Sequence, residues 1–479
     1  MLLSKKIVVI GGGISGLSLA YYLTKAFNAE NSRAQVTLLE ARERFGGVIE
    51  TVRGEGCLLE GGPDSFISEK TAALELCREL GLESEVIGTN AEHQCSYVFC
   101  RGRLFRIPEG FYLVAPVRPK TLFELPFISW PGKLRMACEP LIPRKADPAD
   151  ESIGSFIRRR FGQETLEKIG QPMMSAMYGG DVEALSLEAA FPRFRTMEAN
   201  YGSVVSALRA GLKLKSSSAE KSASGPRYSL FLTLGGGLDT LTGALEREIS
   251  PAVRMMSGAK AAVVKADGVS WEIGMEDGRR LNADFVCLAL PASAARGLFE
   301  THLNVLASRL GEIGYESVVT VNRVYDQKDI PRGVRGFGFV VPATEKLNTI
   351  GCTFSTYKFR SRTREGLFAL RLFLGGSQNP RLCGLADEEI ERIAVEETKR
   401  TTGISATPLR NFIHRYPQAM PQYHVGHLER VSAIETEVSK HRGLFLTGNG
   451  YRGLGIPDCI RQAKETAEKV IGELKTLKR

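Results

Sequence analysis

One stretch near the start constrains this chain more than any other: Lys5-Lys6-Ile7-Val8-Val9-Ile10-Gly11-Gly12-Gly13-Ile14-Ser15-Gly16-Leu17. Residues 7–10 form an apolar run of strand-forming types. Gly11, Gly13 and Gly16 fit Gly-x-Gly-x-x-Gly, and from residue 14 to about residue 26 the apolar spacing becomes helical. The pattern predicts a strand that turns sharply into a helix. Gly11 permits the turn, Gly13 lets the backbone approach a pyrophosphate, and Gly16 lets helix and strand pack closely. The pyrophosphate would sit at the helix N-terminus, where free N–H groups and the dipole favour an anion. Residues 35–40 predict a second strand ending at Glu40, 24 residues after Gly16. An acid there is placed to hydrogen-bond an adenosine ribose, and it disfavours a 2′-phosphate. The expected ligand is therefore FAD or NAD(H).

Length and charge set the outer bounds. At 479 residues the chain can bury a large core in more than one domain. Its net charge of +9 is compatible with an anionic membrane surface, an acidic substrate or a mildly basic solvated exterior. No compact Lys/Arg cluster with interleaved aromatics supports nucleic acid as a partner. The nine cysteines include no Cys-x-x-Cys and are odd in number; this suits reduced thiols in the cytoplasm, with no disulfide framework. His414, His424 and His427 lack carboxylate partners at metal-site spacing, so no metal is expected. No charged-then-apolar leader is seen, and no stretch reaches the roughly 20 apolar residues that span a bilayer.

Further along, Arg44 followed by Gly46 and Gly47 can place a guanidinium and backbone N–H groups on a diphosphate. Residues 60–66 form another glycine-rich turn before a helical stretch at 70–80, with Asp64 or Ser65 as its cap. Residues 95–108 read as a hairpin with Arg101-Gly102-Arg103 at the bend. Residues 111–143 interleave Phe123, Phe127 and Trp130 with Lys133 and Arg135, and Arg144 follows directly. This suits either a membrane-interface surface or an ordinary helical subdomain. Residues 153–170 read as a helix with Arg158, Arg159 and Arg160 on its exposed side. Residues 213–227 are Ser- and Lys-rich and read as a flexible linker. Strands are expected at 259–266, 271–275 and 285–290, and again through 315–376. Residues 443–450 run from a strand into a glycine turn, and a final helix begins near residue 456. Cofactor contacts at both ends of a chain favour the longer ligand, FAD.

These blocks together resemble the monoamine oxidase/phytoene desaturase superfamily of FAD enzymes. Several look like the protoporphyrinogen oxidase family within it: Gly62-Pro63-Asp64-Ser65-Phe66, Tyr178-Gly179-Gly180-Asp181, Gly375-Gly376-Ser377, Tyr416 to Tyr423 with Gly426-His427, and Gly448-Asn449 with Pro457-Asp458-Cys459-Ile460. The resemblance implies an α/β fold of three lobes. They are a Rossmann-like FAD-binding domain (1–92, 228–290 and 428–479), a helical membrane-binding subdomain (93–205) and a mixed-sheet substrate domain (291–427), with 206–227 as linker. It implies six-electron oxidation of a porphyrinogen to a porphyrin in heme synthesis, with O2 as acceptor. The substrate is either protoporphyrinogen IX or coproporphyrinogen III. The expected cofactor-binding residues are Gly11, Gly13, Ile14, Ser15, Gly16, Glu40, Ala41, Arg44, Gly46, Gly47, Gly62, Pro63, Asp64, Ser65, Gly448, Asn449, Gly453, Gly455, Ile456 and Pro457.

For the substrate pocket the resemblance points to Gly179, Val340, Thr353 and Phe373. Thr353 departs from the family's usual Leu. Phe105 stands where plant-type members carry an arginine for a propionate, which leaves Arg101, Arg103 and Arg106 as candidates, with Arg106 adjacent. No protein side chain is expected to act as acid, base or nucleophile, because the flavin N5 takes the hydride. Further expected partners are the inner face of the cytoplasmic membrane, a second copy of the chain and the next heme-pathway enzyme. Other readings are an amine- or carotenoid-type FAD oxidoreductase, or a non-catalytic flavin- or tetrapyrrole-binding protein. Amine oxidases with covalent flavin carry a cysteine where this chain has Tyr451-Arg452-Gly453.

Overall fold

The alternation Ile7-Val8-Val9-Ile10 buries both faces of the first strand. Ile7 and Val9 enter one apolar cluster, and Val8 and Ile10 enter another. A strand buried on both sides is the mark of a parallel sheet, because helical crossovers cover each face. The computed structural model of the chain describes residues 5–29, 34–217 and 230–476. In it, five parallel strands follow the order Val253–Met256, Ala34–Leu39, Lys5–Ile10, Phe285–Leu288, Leu444–Leu446. Helices Ile14–Ala29, Asp239–Ile249 and Ile456–Thr476 pack on one face. Helices Ala292–Phe299, Asn304–Gly311 and His427–Ser439 pack on the other, with a three-stranded antiparallel sheet beside them.

The second sheet has seven strands, ordered Arg410–Gln422, Gly314–Asp326, Leu367–Gly375, Thr349–Thr353, Gly338–Val340, Ser96–Cys100, Arg103–Arg106. It is antiparallel except where Gly338–Val340 runs parallel to Ser96–Cys100. The expected hairpin at 95–108 forms, with Arg101 and Gly102 at positive φ. It does not open the helical lobe, however, but completes this sheet. Likewise residues 292–311, expected to begin the substrate domain, cover the parallel sheet instead.

The helical lobe packs around Phe156, Phe161, Leu166, Ile169 and Leu185. Three expectations change here. The predicted helix 153–170 is interrupted: Ile153–Phe161 stops at Gly162, whose φ of 95° breaks the helical path, and a π-turn covers Leu166–Gly170. Arg160 is not exposed. It lies at 0% exposure, hydrogen-bonded to Glu139 and 3.1 Å from Glu198. The predicted linker is helical over its first half, because Val204–Ser217 forms one helix; residues 218–227 lie outside the described residues. No helix among the described residues is long and apolar enough to cross a membrane. The lobe nevertheless exposes Phe123, Trp130, Leu134 and Leu141, each by 66% or more. Lys133 lies 4.8 Å over the Trp130 ring, and Phe123 meets Trp130 edge-on.

Candidate active site

Three glycine turns converge at the carboxyl ends of strands of the parallel sheet, where open α/β sheets place their ligands. The first is residues 11–16. A Cβ on Gly16 would lie 1.8 Å from the Gly11 carbonyl, and one on Gly11 would lie 2.4 Å from the Ala289 carbonyl. Both positions therefore exclude a side chain. Gly13 differs: an added Cβ would meet only the Gly47 Cα, at 3.8 Å. It borders open space, as a position facing a ligand should. Ile14 and Ser15 begin the helix Ile14–Ala29, whose first-turn N–H groups lack intrahelical acceptors. Glu40 is buried at 8% exposure. Its two oxygens accept the Gly12 and Arg42 N–H groups at 2.8 and 2.9 Å, which fixes the carboxylate beside the turn. Ala41 follows it on the surface.

The second turn, residues 44–48, crosses the first. The Gly46 N–H donates to the Gly12 carbonyl at 2.8 Å. A Cβ on Gly47 would lie 3.0 Å from the Gly13 Cα. Arg44 is not held out toward a phosphate. Its guanidinium donates to the carbonyls of Phe45, Gly47 and Ile49 and pairs with Glu50 at 2.9 Å. It shapes the turn from within.

The third turn closes the strand Leu444–Leu446. Gly448 and Gly453 have φ of 134° and 113°. The Tyr423 hydroxyl donates to the Asn449 carbonyl and accepts the Gly453 N–H. Gly455, Ile456 and Pro457 lead into the helix Ile456–Thr476. Its Cys459 lies beside Ser15 of the helix Ile14–Ala29. Two helix N-termini, from opposite ends of the chain, thus meet at one place.

Residues 61–65 join the two sheets. A Cβ on Gly62 would lie 1.9 Å from the Val48 carbonyl, and the Gly61 N–H donates to the Glu50 carbonyl. Asp64 and Ser65 do not cap a helix: the helix Ala72–Glu79 follows Thr71, without a side-chain cap. Ser65 instead donates to Asp64 at 2.7 Å. Asp64 accepts from Lys358 at 2.8 Å and pairs with Arg371 at 3.2 Å. Burial alone would raise its pKa, but Lys358 and Arg371 outweigh it and hold the carboxyl well below the usual range. Pro63 lies between, half-buried. The sequence carried a signal for Arg371, since it is a charge inside the apolar run Leu367–Gly375; such a residue is buried only if paired.

Strand register decides which substrate candidates meet. Phe373 stands opposite both Thr320 and Gly351, Gly351 opposite Val340, Val340 opposite Val98, and Val98 opposite Phe105. Residues opposite one another share a face. Thr353 lies two residues from Gly351, so Val340, Thr353 and Phe373 lie on one side of the sheet. That side looks toward the nucleotide domain, because Thr320 donates to the Gly61 carbonyl and Asn322 to the Glu60 carbonyl. Gly179, in left-handed conformation at the end of the helix Gln171–Tyr178, packs on the Gly376 turn at the end of the same strand as Phe373. Arg106 does not join this group. It pairs with Tyr97, so it points to the opposite face, and its side chain is 57% exposed beside Glu109. Phe105 takes the inward place and packs on Phe127.

This arrangement defines a class of dinucleotide-binding oxidoreductase with a parallel nucleotide sheet facing a large mixed sheet. Residues 14–471 match the family model described as flavin containing amine oxidoreductase, and the chain belongs to that family. It is 32% identical to coproporphyrinogen III oxidase of Bacillus subtilis (strain 168), over 96% of each chain. It is 31% identical to protoporphyrinogen oxidase of Bos taurus, over 98% of this chain and 99% of that one. A crystal structure from Exiguobacterium sp. 255-15, provisionally named a protoporphyrinogen oxidase, superposes with a TM-score of 0.85 at 28% identity, covering 99% of this chain and 100% of the other. The chain is a flavin-dependent oxidoreductase with FAD as its cofactor. The residues present fit that group: open space before Gly13, an oriented acid at Glu40 and two converging helix N-termini.

Proposed function

We propose that this chain oxidises a porphyrinogen, protoporphyrinogen IX or coproporphyrinogen III, to the porphyrin in heme synthesis. The observation that carries the reading is the near-full-length likeness to enzymes named for these two substrates. The sheet face bearing Val340, Thr353 and Phe373 supports it, since a flat apolar macrocycle needs an apolar wall beside the cofactor. When bound, FAD supplies the two-electron acceptor, so six-electron oxidation takes three cycles, with O2 as final acceptor and hydrogen peroxide as by-product. The chain's own task is placement. Gly179 and Gly376 keep one end of the sheet face free of side chains, and Phe373 offers a ring to the macrocycle. The Gly61 carbonyl, tied to Thr320, and the Gly62 carbonyl, tied to Arg371, fix the nucleotide domain against that wall.

The reading includes a three-lobe division, with a nucleotide-binding, a substrate-binding and a helical part. It also includes cytoplasmic location with peripheral attachment to the membrane's inner face. Exposed Phe123, Trp130, Leu134 and Leu141 beside Lys133 support the attachment, because apolar and basic groups together suit an anionic lipid interface. A homodimer and delivery of product to the next heme-pathway enzyme belong to the same reading.

The test mixes purified, FAD-loaded protein in air with each porphyrinogen separately and follows porphyrin fluorescence. Faster conversion of coproporphyrinogen III places the enzyme on the coproporphyrin branch, and the reverse preference places it on the protoporphyrin branch. Conversion of neither above the protein-free rate overturns the reading.

A further inference from the structure

A buried cluster lies between the 61–65 turn and the mixed sheet, and its charges do not cancel. Glu60 and Asp64 face Lys358, Arg362 and Arg371, and every one of these side chains is at most 16% exposed. Lys358 and Arg371 share Asp64, and Arg362 takes Glu60. Three cations therefore meet two carboxylates. The neighbouring charges are already matched, Arg44 by Glu50 and Arg53 by Asp239. Among the described residues, one positive charge is left over. An uncompensated buried ion is costly, and proteins retain such violations chiefly at functional sites.

Arg371 is the member closest to the substrate wall. Its guanidinium donates to the Glu60 and Gly62 carbonyls at 3.0 and 2.6 Å, and its Nε has no partner among the described residues. Phe373 lies across it, 4.6 Å from guanidinium carbon to ring centroid. At 3% exposure, Arg371 is closed to a substrate carboxylate. Its charge can act only as a field through the turn and the ring.

We propose that Arg371 is a positioning residue that ties down the 61–65 turn and sustains the buried positive charge that stabilises reduced flavin. This rests on the reading of Gly62, Pro63, Asp64 and Ser65 as cofactor-lining. The charge balance supplies the reason. A flavin that accepts a hydride gains two electrons and one proton, so its ring passes from neutral to one net negative charge; the substrate loses that hydride and releases a proton. A fixed positive charge nearby favours the product of this transfer over its reactant, and tuning by nearby charge is a known lever on flavins.

The test measures the two-electron potential of FAD bound to the full-length protein, by anaerobic reduction against reference dyes. Arg371→Met and Lys358→Met each remove one cation while leaving the other to pair with Asp64. Each is expected to weaken the preference for reduced over oxidised FAD about tenfold, which lowers the potential by about 30 mV for a two-electron couple. Asp64→Asn adds a net positive charge and is expected to raise the potential. Opposite signs separate a field from damage to the fold, since a merely structural role would weaken both oxidation states alike and leave the potential unmoved. Potentials unchanged in both methionine variants, or shifted the same way in Asp64→Asn, overturn the proposal. Purified protein that neither carries nor takes up FAD overturns the cofactor-lining reading instead.

Discussion

Tyr423 and His427 stack ring on ring, with centroids 3.9 Å apart and planes inclined by 16°. Together they hold the C-terminal glycine loop at alternate residues. Tyr423 binds Asn449 and Gly453 through its hydroxyl, and His427 Nε2 meets the Tyr451 carbonyl at 2.8 Å. The Tyr423-to-His427 motif therefore acts through the loop, which belongs to the proposed cofactor site.

Tyr423→Phe keeps the stack and removes both hydroxyl bonds. FAD affinity should fall about tenfold, as expected for a loss of about 1.4 kcal/mol. Fluorescence titration of the cofactor-free protein with FAD measures this. Unchanged affinity would remove the loop from the cofactor site.

His427 is fully buried, and burial lowers its pKa from 6.5 to about 4. The unfolded chain therefore binds this proton more readily than the folded one. Stability from His427 is fully present above pH 6.5 and is lost as pH falls toward 4, by on the order of 3 kcal/mol. Urea unfolding between pH 4.5 and 7.5 should show a shallower decline in His427→Gln than in the unsubstituted protein. Parallel curves would count against the assignment.

Gly13→Ala and Gly16→Ala should part company. The Gly16 methyl would collide with the Gly11 carbonyl, so this variant should fold poorly. The Gly13 methyl meets only the Gly47 Cα, at an ordinary contact distance of 3.8 Å. Gly13→Ala should therefore keep its melting temperature within a few degrees yet bind FAD at least tenfold more weakly. Thermal melting with and without added FAD distinguishes the two.

Trp130→Ser, Leu134→Ser and Leu141→Ser combined should leave thermal stability unchanged, since each side chain is at least 67% exposed. Sedimentation with vesicles containing anionic phosphatidylglycerol should fall at least fivefold. Equal sedimentation would move any membrane contact elsewhere.

The turns at 11–16, 44–48 and 448–456 were legible because each is a local pattern whose backbone demands appear as glycines beside a strand or helix. The face carrying Val340, Thr353 and Phe373 came from motif resemblance, and register later brought those residues together. Arg106 failed for a reason the sequence half contains. It and Phe105 must point to opposite faces, but which face is inward depends on pairing with Gly338–Val340, more than 200 residues away. Arg160 and Arg371 were missed for a similar reason. Arg160 read as exposed because its partner Glu139 was not known, and Arg371, though marked as paired by its apolar run, could not be placed without its distant partner Asp64. The start of the supposed linker was misread because Ser and Lys suggest a loop, whereas residues 204–217 continue as helix.

The order of strands in the parallel sheet has a consequence for biosynthesis. Lys5–Ile10 is made before its neighbour Phe285–Leu288, which follows some 280 residues later, and Leu444–Leu446 follows later still. The helix Ile14–Ala29 also shares its apolar cluster with Ile456–Thr476. The first apolar strand must therefore wait, unpaired on one side, until Phe285–Leu288 has been translated. At about 5–20 residues per second this exposes it for tens of seconds. The first and third glycine turns can consequently meet only after the more than 400 residues between them have been made, and a nascent-chain chaperone has its clearest target at residues 5–10.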